Sequence, residues 1–265
     1  MTATIQAPDG TRIVYDVRGS GDTVLVFVHC WSCDREVWRE QLDAFDDEYR
    51  VVSLDLAGHG ESAATRDEWT VLGLAQDVKA VADALGLERM VLIGHSMGGP
   101  VSLEAARLMP GRVLGVVAAD TLHDADFVFP EEMAEQMTTA FEADFTGTMT
   151  NMFSGMAAGE MDPDLRTWIV EKAVGANPDV AIALLLDFAN IDFPALFSGA
   201  GVPIRAINAA PAPPMIPVTN VEGNRQYADF DAVIVEGSGH FIQLEKPAAF
   251  NARLREYIEA LAARG

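Results

Sequence analysis

Short apolar runs alternate with longer amphipathic stretches along this chain, and the alternation predicts its elements. Thr23 to Val28 and Arg50 to Leu54 have the length and continuity of strands buried on both faces. Arg89 to Ile93, Val113 to Ala119, Val202 to Ile207 and Ala232 to Val235 read the same way. Thr11 to Val17 instead alternates, and it follows the turn residues Pro8 to Gly10, which suggests an N-terminal hairpin. Helical spacing appears in Val71 to Leu87, where Leu72, Ala75, Val78, Ala82 and Leu85 share a side and Gly86 stands near the end. Pro100 to Met109 is a second helical stretch. Pro247 to Ala262 reads as a closing helix with Pro in its first turn.

Strands that alternate with helices imply an α/β domain whose mainly parallel sheet is covered on both faces. About eighty residues between the strand ending at Ala119 and the one starting at Val202 break this rhythm, with helical spacing and no strand. We read 121–201 as a helical cap inserted in a core made of 1–120 and 202–265. The cap is rich in soft apolar side chains, among them Met133, Met137, Met152, Met156 and Met161. Most are expected to pack helices together, and a subset to form an adaptable apolar pocket wall. Pro211 to Pro217 reads as a Pro-dense loop rather than a domain linker.

Charge narrows the function classes. The formal net charge is -22, with 18 basic residues, of which only Lys79, Lys172 and Lys246 are lysines. Nucleic acid and anionic membranes both need clustered Lys and Arg, so neither is expected as a partner. The acidic surface reads as a solubilising face or as adaptation to salty surroundings. No apolar run reaches membrane-span length, and Met1 to Asp16 lacks the pattern of a signal peptide. The expectation is a cytoplasmic protein acting on a small molecule, as a monomer or a homo-oligomer. Cys30 and Cys33 form a lone Cys-x-x-Cys pair. A zinc ribbon needs a second such pair, and no His, Asp or Glu spacing resembles a ligand set, so neither metal nor cofactor is expected.

Chemistry concentrates at two places. Gly94-His95-Ser96-Met97-Gly98 lies between a buried strand and a helix, the context in which a sharp turn exposes a nucleophilic serine. Near a helix N-terminus, developing negative charge is favoured. Gly237 to Phe241 follows the last predicted strand, where His240 can serve as the general base. His59 and His95 read as structural hydrogen-bonders, and His29 as a support for the turn that follows it.

These segments, together with Val28-His29-Cys30-Trp31, Asp55 to Ser62 and Glu245-Lys246-Pro247, resemble the α/β-hydrolase superfamily over nearly the whole chain. The likeness is to its esterase, lactonase and C–C-hydrolase branch. It implies an eight-stranded, mostly parallel sheet flanked by helices, and a Ser-His-Asp triad. In such families the acid usually follows the penultimate strand, but here no Asp or Glu occurs between Arg205 and Glu222. Some branches place it after the strand that follows the elbow helix, which assigns Asp120, with Asp124 and Asp126 as substitutes. The resemblance also makes the backbone N–H groups of Trp31 and Met97 the oxyanion donors. Cys30 stands where relatives commonly carry Gly, and its thiol predicts sensitivity to oxidants. Cys30, His123, Phe141, Phe145, Met149, Phe153, Trp168 and Phe241 are expected to line the substrate pocket. His123 is also placed to compete for Asp120.

The resulting expectation is hydrolysis of a carboxylic ester or lactone with an apolar moiety through an acyl-enzyme. The alternatives are hydrolysis of a C–C bond in a diketone or dienoic acid, helped by an arginine such as Arg166, and a low-turnover ligand receptor on the same fold.

Overall fold

The computed structural model describes residues 1–156, 161–210 and 217–264. Eight strands form one sheet: β1 (Thr2–Gln6), β2 (Arg12–Arg18), β3 (Val24–Val28), β4 (Arg50–Leu54), β5 (Met90–His95), β6 (Val113–Ala119), β7 (Ile204–Ala210) and β8 (Phe230–Glu236). Their spatial order is β1-β2-β4-β3-β5-β6-β7-β8. β1 pairs antiparallel with β2, and β2 with β4; every later pairing is parallel. The mostly parallel eight-stranded sheet anticipated above is the sheet observed.

Both faces of the central strands are buried. Along β3, Val24, Val26 and Val28 pack into one apolar cluster while Leu25 and Phe27 pack into the other, the two-residue period of a strand covered twice. The first face is covered by α2 (Ala75–Ala84) and α3 (Gly98–Leu108), through residues such as Val78 and Val101. The second is covered by α1 (Arg39–Phe45) and, later in the chain, by the closing helix Pro247–Ala262, through Phe45 and Leu254. α2 starts later than the spacing of Val71 to Leu87 predicts. The preceding turn is closed by tight three-residue bonds, from Ala75 N–H to the Leu72 carbonyl and from Gln76 N–H to that of Gly73.

Between β6 and β7 the described chain is helical: α4 (Glu131–Ala143), α5 (Phe145–Met156), α6 (Pro163–Val174), α7 (Pro178–Ala189) and α8 (Phe193–Gly199). Asp162, Asn177 and Asp192 cap the last three by accepting backbone N–H groups, each with Pro in the first turn. α9 (Val221–Asn224), α10 (Ile242–Glu245) and α11 (Pro247–Ala262) complete the chain. The Pro-dense loop expected at Pro211 to Pro217 lies, apart from Pro217, outside the described residues. Among the described residues no single helix is long and apolar enough to cross a membrane.

Strand order reverses around β3, whose chain neighbour β4 lies on one side and β5 on the other. Loops leaving the carboxyl ends of such adjacent strands diverge and open a crevice above the sheet. The Cys30 turn and Ser96 leave from those two strand ends. The sheet centre beneath them is the mechanical base of the site. Phe27, fully buried against Trp38 at 5.2 Å between ring centroids, is expected to lose about 3–5 kcal/mol of stability on substitution by Ala. Ile234→Ala on the edge strand, where the side chain is 47% exposed, should cost well under about 1 kcal/mol. Denaturant melts of the two variants check the contrast.

Candidate active site

Ser96 sits in the turn between β5 and α3 with φ 53°, a left-handed conformation that a side chain with a Cβ rarely adopts. The turn is tight enough that a Cβ on Gly94 would strike the Gly98 carbonyl oxygen, and one on Gly98 would strike that of Val28. Glycine at both positions is therefore a steric requirement. The Ser96 N–H is held by the Ala119 carbonyl at 3.2 Å, so the serine is anchored to the next strand.

That next strand ends in Asp120, which is buried and also left-handed, with φ 45°. One carboxylate oxygen, Oδ2, accepts from His240 Nδ1 at 2.7 Å. The other, Oδ1, accepts the Ala209 N–H at 2.9 Å. Burial by itself pushes this carboxyl up. The hydrogen bond and charge of His240, with contributions from His123 and the Ala209 N–H, outweigh it and hold the group below its ordinary value. Asp124 and Asp126 do not reach His240. Asp124 accepts from Asp126 N–H and from Asn220, and Asp126 accepts from the Tyr227 hydroxyl.

His240 is fixed from three directions besides its ring. Its N–H donates to the Met156 carbonyl at the end of α5, and its carbonyl accepts from His95 Nε2 at 2.8 Å. Glu245 accepts the N–H groups of Gly239 and Phe241, bracketing the histidine from below. This gives the Glu245-Lys246-Pro247 segment its structural meaning: a carboxylate that ties the base loop to α10. Ser96 and His240 line the same cavity, but no hydrogen bond between them is closed.

The turn after β3 is held at His29, Cys30, Trp31 and Cys33. His29 donates from Nδ1 to the Cys30 carbonyl at 2.7 Å and accepts the Leu56 N–H at Nε2, supporting the turn as expected. Cys30 and Cys33 are joined as a disulfide, with Cα atoms 5.5 Å apart. Neither is then a free thiol, which removes the basis for the expected oxidant sensitivity. Downstream, the buried carboxylate of Asp55 takes the N–H groups of Arg35 and Glu61 and pairs with the Arg35 guanidinium. Between the cysteines, Trp31 donates its ring N–H to the Ala181 carbonyl of α7 and packs on Phe141 and Phe153. The backbone N–H groups of Trp31 and Met97 find no hydrogen-bond acceptor among the described residues, and both residues line the cavity.

The cavity has a volume of about 460 Å³. Its wall is largely apolar: Met137, Met152 and Met156 from α4 and α5, Leu184, Leu185 and Phe188 from α7, and Leu122, Phe127 and Phe129 from the loop after β6. Of the eight pocket residues expected from sequence, only His123 lies on this wall. Phe141, Met149 and Phe153 are buried behind it, where they support Trp31 and the sheet. Phe145 packs on Phe141. Phe241 packs against His95 on the core side, and Cys30 is taken up by its disulfide. Trp168 lies in a separate surface groove, flanked by Arg39 at 4.3 Å and Lys172 at 4.6 Å. The expectation missed α7, although Ala181 to Ala189 is apolar on all sides but for Asp187, which marks a helix wanted by two surfaces. Among the described residues no group of three or more His, Cys, Asp or Glu could hold a metal ion.

Three of the histidines are structural and neutral. Burial, above all, lowers His29 from 6.5 to about 4, and His59 and His95 to about 3. The value for His95 also reflects the neighbouring His240. Unfolded, each of the three takes up a proton as the pH falls through about 6.5; folded, they do so only near 4 and 3. The folded state is therefore favoured fully above about pH 6.5, and it loses stability as the pH falls from there toward about 4 and below. At about pH 5, these three groups should make unfolding take up roughly three protons, a slope of about 4 kcal/mol per pH unit. His59→Gln should reduce their uptake to roughly two. Calorimetry in buffers of different ionisation enthalpy measures the number directly; a Tm independent of pH between about 6.5 and 5 would contradict it.

Comparison with known proteins places this geometry. A family model described as alpha/beta hydrolase fold matches residues 23–156. The dihydrolipoyllysine-residue acetyltransferase component of the acetoin cleaving system of Cupriavidus necator is 37% identical over 120 residues, 45% of this chain and 32% of that protein. The chain spans about a third to a half of the length of the curated relatives it matches first. Among solved structures, an esterase from Exiguobacterium antarcticum superposes with a TM-score of 0.87 at 23% identity, over 98% of this chain and 100% of that one, a likeness of fold. An N-acyl homoserine lactone degrading enzyme, Est816, gives 0.81 at 25% identity, over 96% of this chain and 100% of that one.

Proposed function

We propose a reaction from one premise: the chain belongs to the α/β-hydrolase family. On our reading it is a serine hydrolase that cleaves a neutral carboxylic ester or lactone with an apolar moiety. The observation that carries this reading is the 2.7 Å bond from His240 Nδ1 to a buried Asp120, on the wall of the cavity that Ser96 also lines. Because Nδ1 gives its hydrogen to Asp120, the neutral imidazole keeps its lone pair at Nε2, the tautomer a general base needs.

The proposed cycle follows. Ser96 Oγ attacks the substrate carbonyl as His240 Nε2 takes its proton, and Asp120 stabilises the imidazolium. The N–H groups of Trp31 and Met97 receive the oxyanion. His240 returns the proton to the leaving alkoxide, and water attacks the acyl-enzyme by the same route in reverse. In a lactone the leaving alkoxide stays attached to the acyl group. The helices of 121–201 serve as the cap, whose methionines let the wall adapt to an acyl chain.

The wall also favours one substrate charge. No Lys or Arg lines the cavity among the described residues, and the segments 157–160 and 211–216 contain none. Arg166, the cation considered for acidic substrates, is not on the wall, whereas Asp124 is. A dienoic acid would bring its carboxylate there without a counter-ion, at a high desolvation cost. Neutral esters and lactones meet no such cost, and solved relatives named as an esterase and as a lactone degrading enzyme fit them. We keep a small-molecule substrate and a cytoplasmic location as parts of the proposal. The Cys30–Cys33 disulfide weighs against that location, because such bonds are rare in reducing compartments.

A turnover panel of p-nitrophenyl esters of graded chain length, neutral lactones and a vinylogous diketone tests the reading. Turnover of esters or lactones is expected, with Ser96→Ala abolishing both turnover and labelling by a fluorophosphonate. Turnover that survives Ser96→Ala would end the serine mechanism, and labelling without turnover would favour a receptor. Asp120→Asn should lower kcat by roughly 10³- to 10⁴-fold. A loss below about tenfold would remove Asp120 from the triad.

A further inference from the structure

His123 is wired at one ring nitrogen and, among the described residues, unpartnered at the other. Asn208, at the end of β7, accepts the Thr121 N–H at its Oδ1, which fixes the orientation of its amide. Its Nδ2 must then be the group that faces Thr219 Oγ1 at 2.9 Å and His123 Nδ1 at 3.2 Å. Thr219 Oγ1 also lies 3.1 Å from that same Nδ1. A nitrogen facing an amide donor is an acceptor, so the neutral ring carries its hydrogen at Nε2. That Nε2 is buried and has no hydrogen-bond partner among the described residues. It stands 3.6 Å from Asp120 Oδ1, the carboxylate oxygen that His240 does not use.

A buried N–H donor without a partner is costly and rare in folded proteins. Its nitrogen has almost no accessible surface, so a substrate in the cavity cannot reach it. The acceptors beside it both belong to Asp120: the carboxylate, with Oδ1 at 3.6 Å, and the backbone carbonyl. We infer that His123 is a positioning residue that acts through Asp120, its Nε2–H holding Oδ1 while Oδ2 serves His240. The inference rests on the triad reading given above. As His240 takes the Ser96 proton, the carboxylate is drawn toward the imidazolium, and His123 limits its rotation away from the Ala209 N–H.

The titratable groups facing His123 are Asp120 and His240. β7, the 217–220 segment and α9 present the neutral Asn208, Thr219 and Asn224, and on α9 Glu222 pairs with Arg225. Removing the Nε2–H leaves a more basic and less firmly oriented carboxylate against the Nδ1 hydrogen of His240, which moves the acid limb of activity to higher pH.

The experiment compares His123→Phe with His123→Gln, which restores a side-chain amide donor. For His123→Phe the acid limb of kcat/KM should move up by about half a pH unit and kcat should fall about tenfold with KM little changed. His123→Gln should recover most of both. An unmoved acid limb in the Phe variant, or a Gln variant that behaves like it, would overturn the inference. Should the Phe variant fail to fold, nitrogen-15 NMR of the unmutated protein decides: the Nε2–H tautomer is expected at His123, and Nδ1–H would refute the assignment. The tautomer is read without turnover, so it stands or falls separately from the Ser96→Ala result.

Discussion

A buried carboxylate is the constraint around which this molecule is arranged. Asp120 is almost wholly shut off from water, and an unpaired ion there would be untenable. Its two oxygens face His240 Nδ1 and the Ala209 N–H, with His123 close by. Those partners come from the loop after β8, from β7 and from the segment that follows β6. Three consecutive strands must therefore be in register before the charge is satisfied, so the fold of the sheet and the electrostatics of the site are one problem.

The same economy appears at the strand end where relatives commonly place the acid. β7 offers Asn208 there, and its amide joins the Thr121 N–H, Thr219 and His123. An amide supplies one acceptor and two donors, whereas a carboxylate would supply acceptors only. On the proposed triad the acid stands one strand inward, and the end of β7 carries an amide whose donors orient the histidine side of the network.

The sheet was legible because strands buried on both faces must be apolar without interruption, and Arg50–Leu54 and Val113–Ala119 have the predicted ends. Ser96 was legible because Gly94 and Gly98 are sterically obligatory. Asp120 came from the resemblance, since some branches of the family place the acid after the strand that follows the elbow helix, and in the structure its carboxylate bonds to His240. The cavity wall was not legible. Phe141 and Phe153 turned out to face the core, while Leu184 and Phe188 face the cavity, and nothing in residue type separates the two roles. Which side of an apolar helix meets a cavity depends on how helices cross, a tertiary property that periodicity does not record. The disulfide was hidden for a different reason: a lone Cys-x-x-Cys is compatible with several states until the turn geometry is known.

The helices between β6 and β7 do more than wall the cavity. The Met156 carbonyl at the end of α5 takes the N–H of His240, and the Ala181 carbonyl in α7 takes the ring N–H of Trp31. Each bond reaches from a helix that touches the cavity to a loop that, on the proposed mechanism, does chemistry. A change of side chain at Met156 or Leu185 that shifts its helix therefore displaces the base or the oxyanion turn as well as reshaping the wall. Binding and chemistry are coupled through backbone carbonyls, whose positions follow the helix axes. Wall volume can therefore be changed without disturbing the loops only by substitutions that preserve the axes of α5 and α7. On the proposed mechanism those are the ones that change the accepted acyl group while leaving His240 and Trp31 in place.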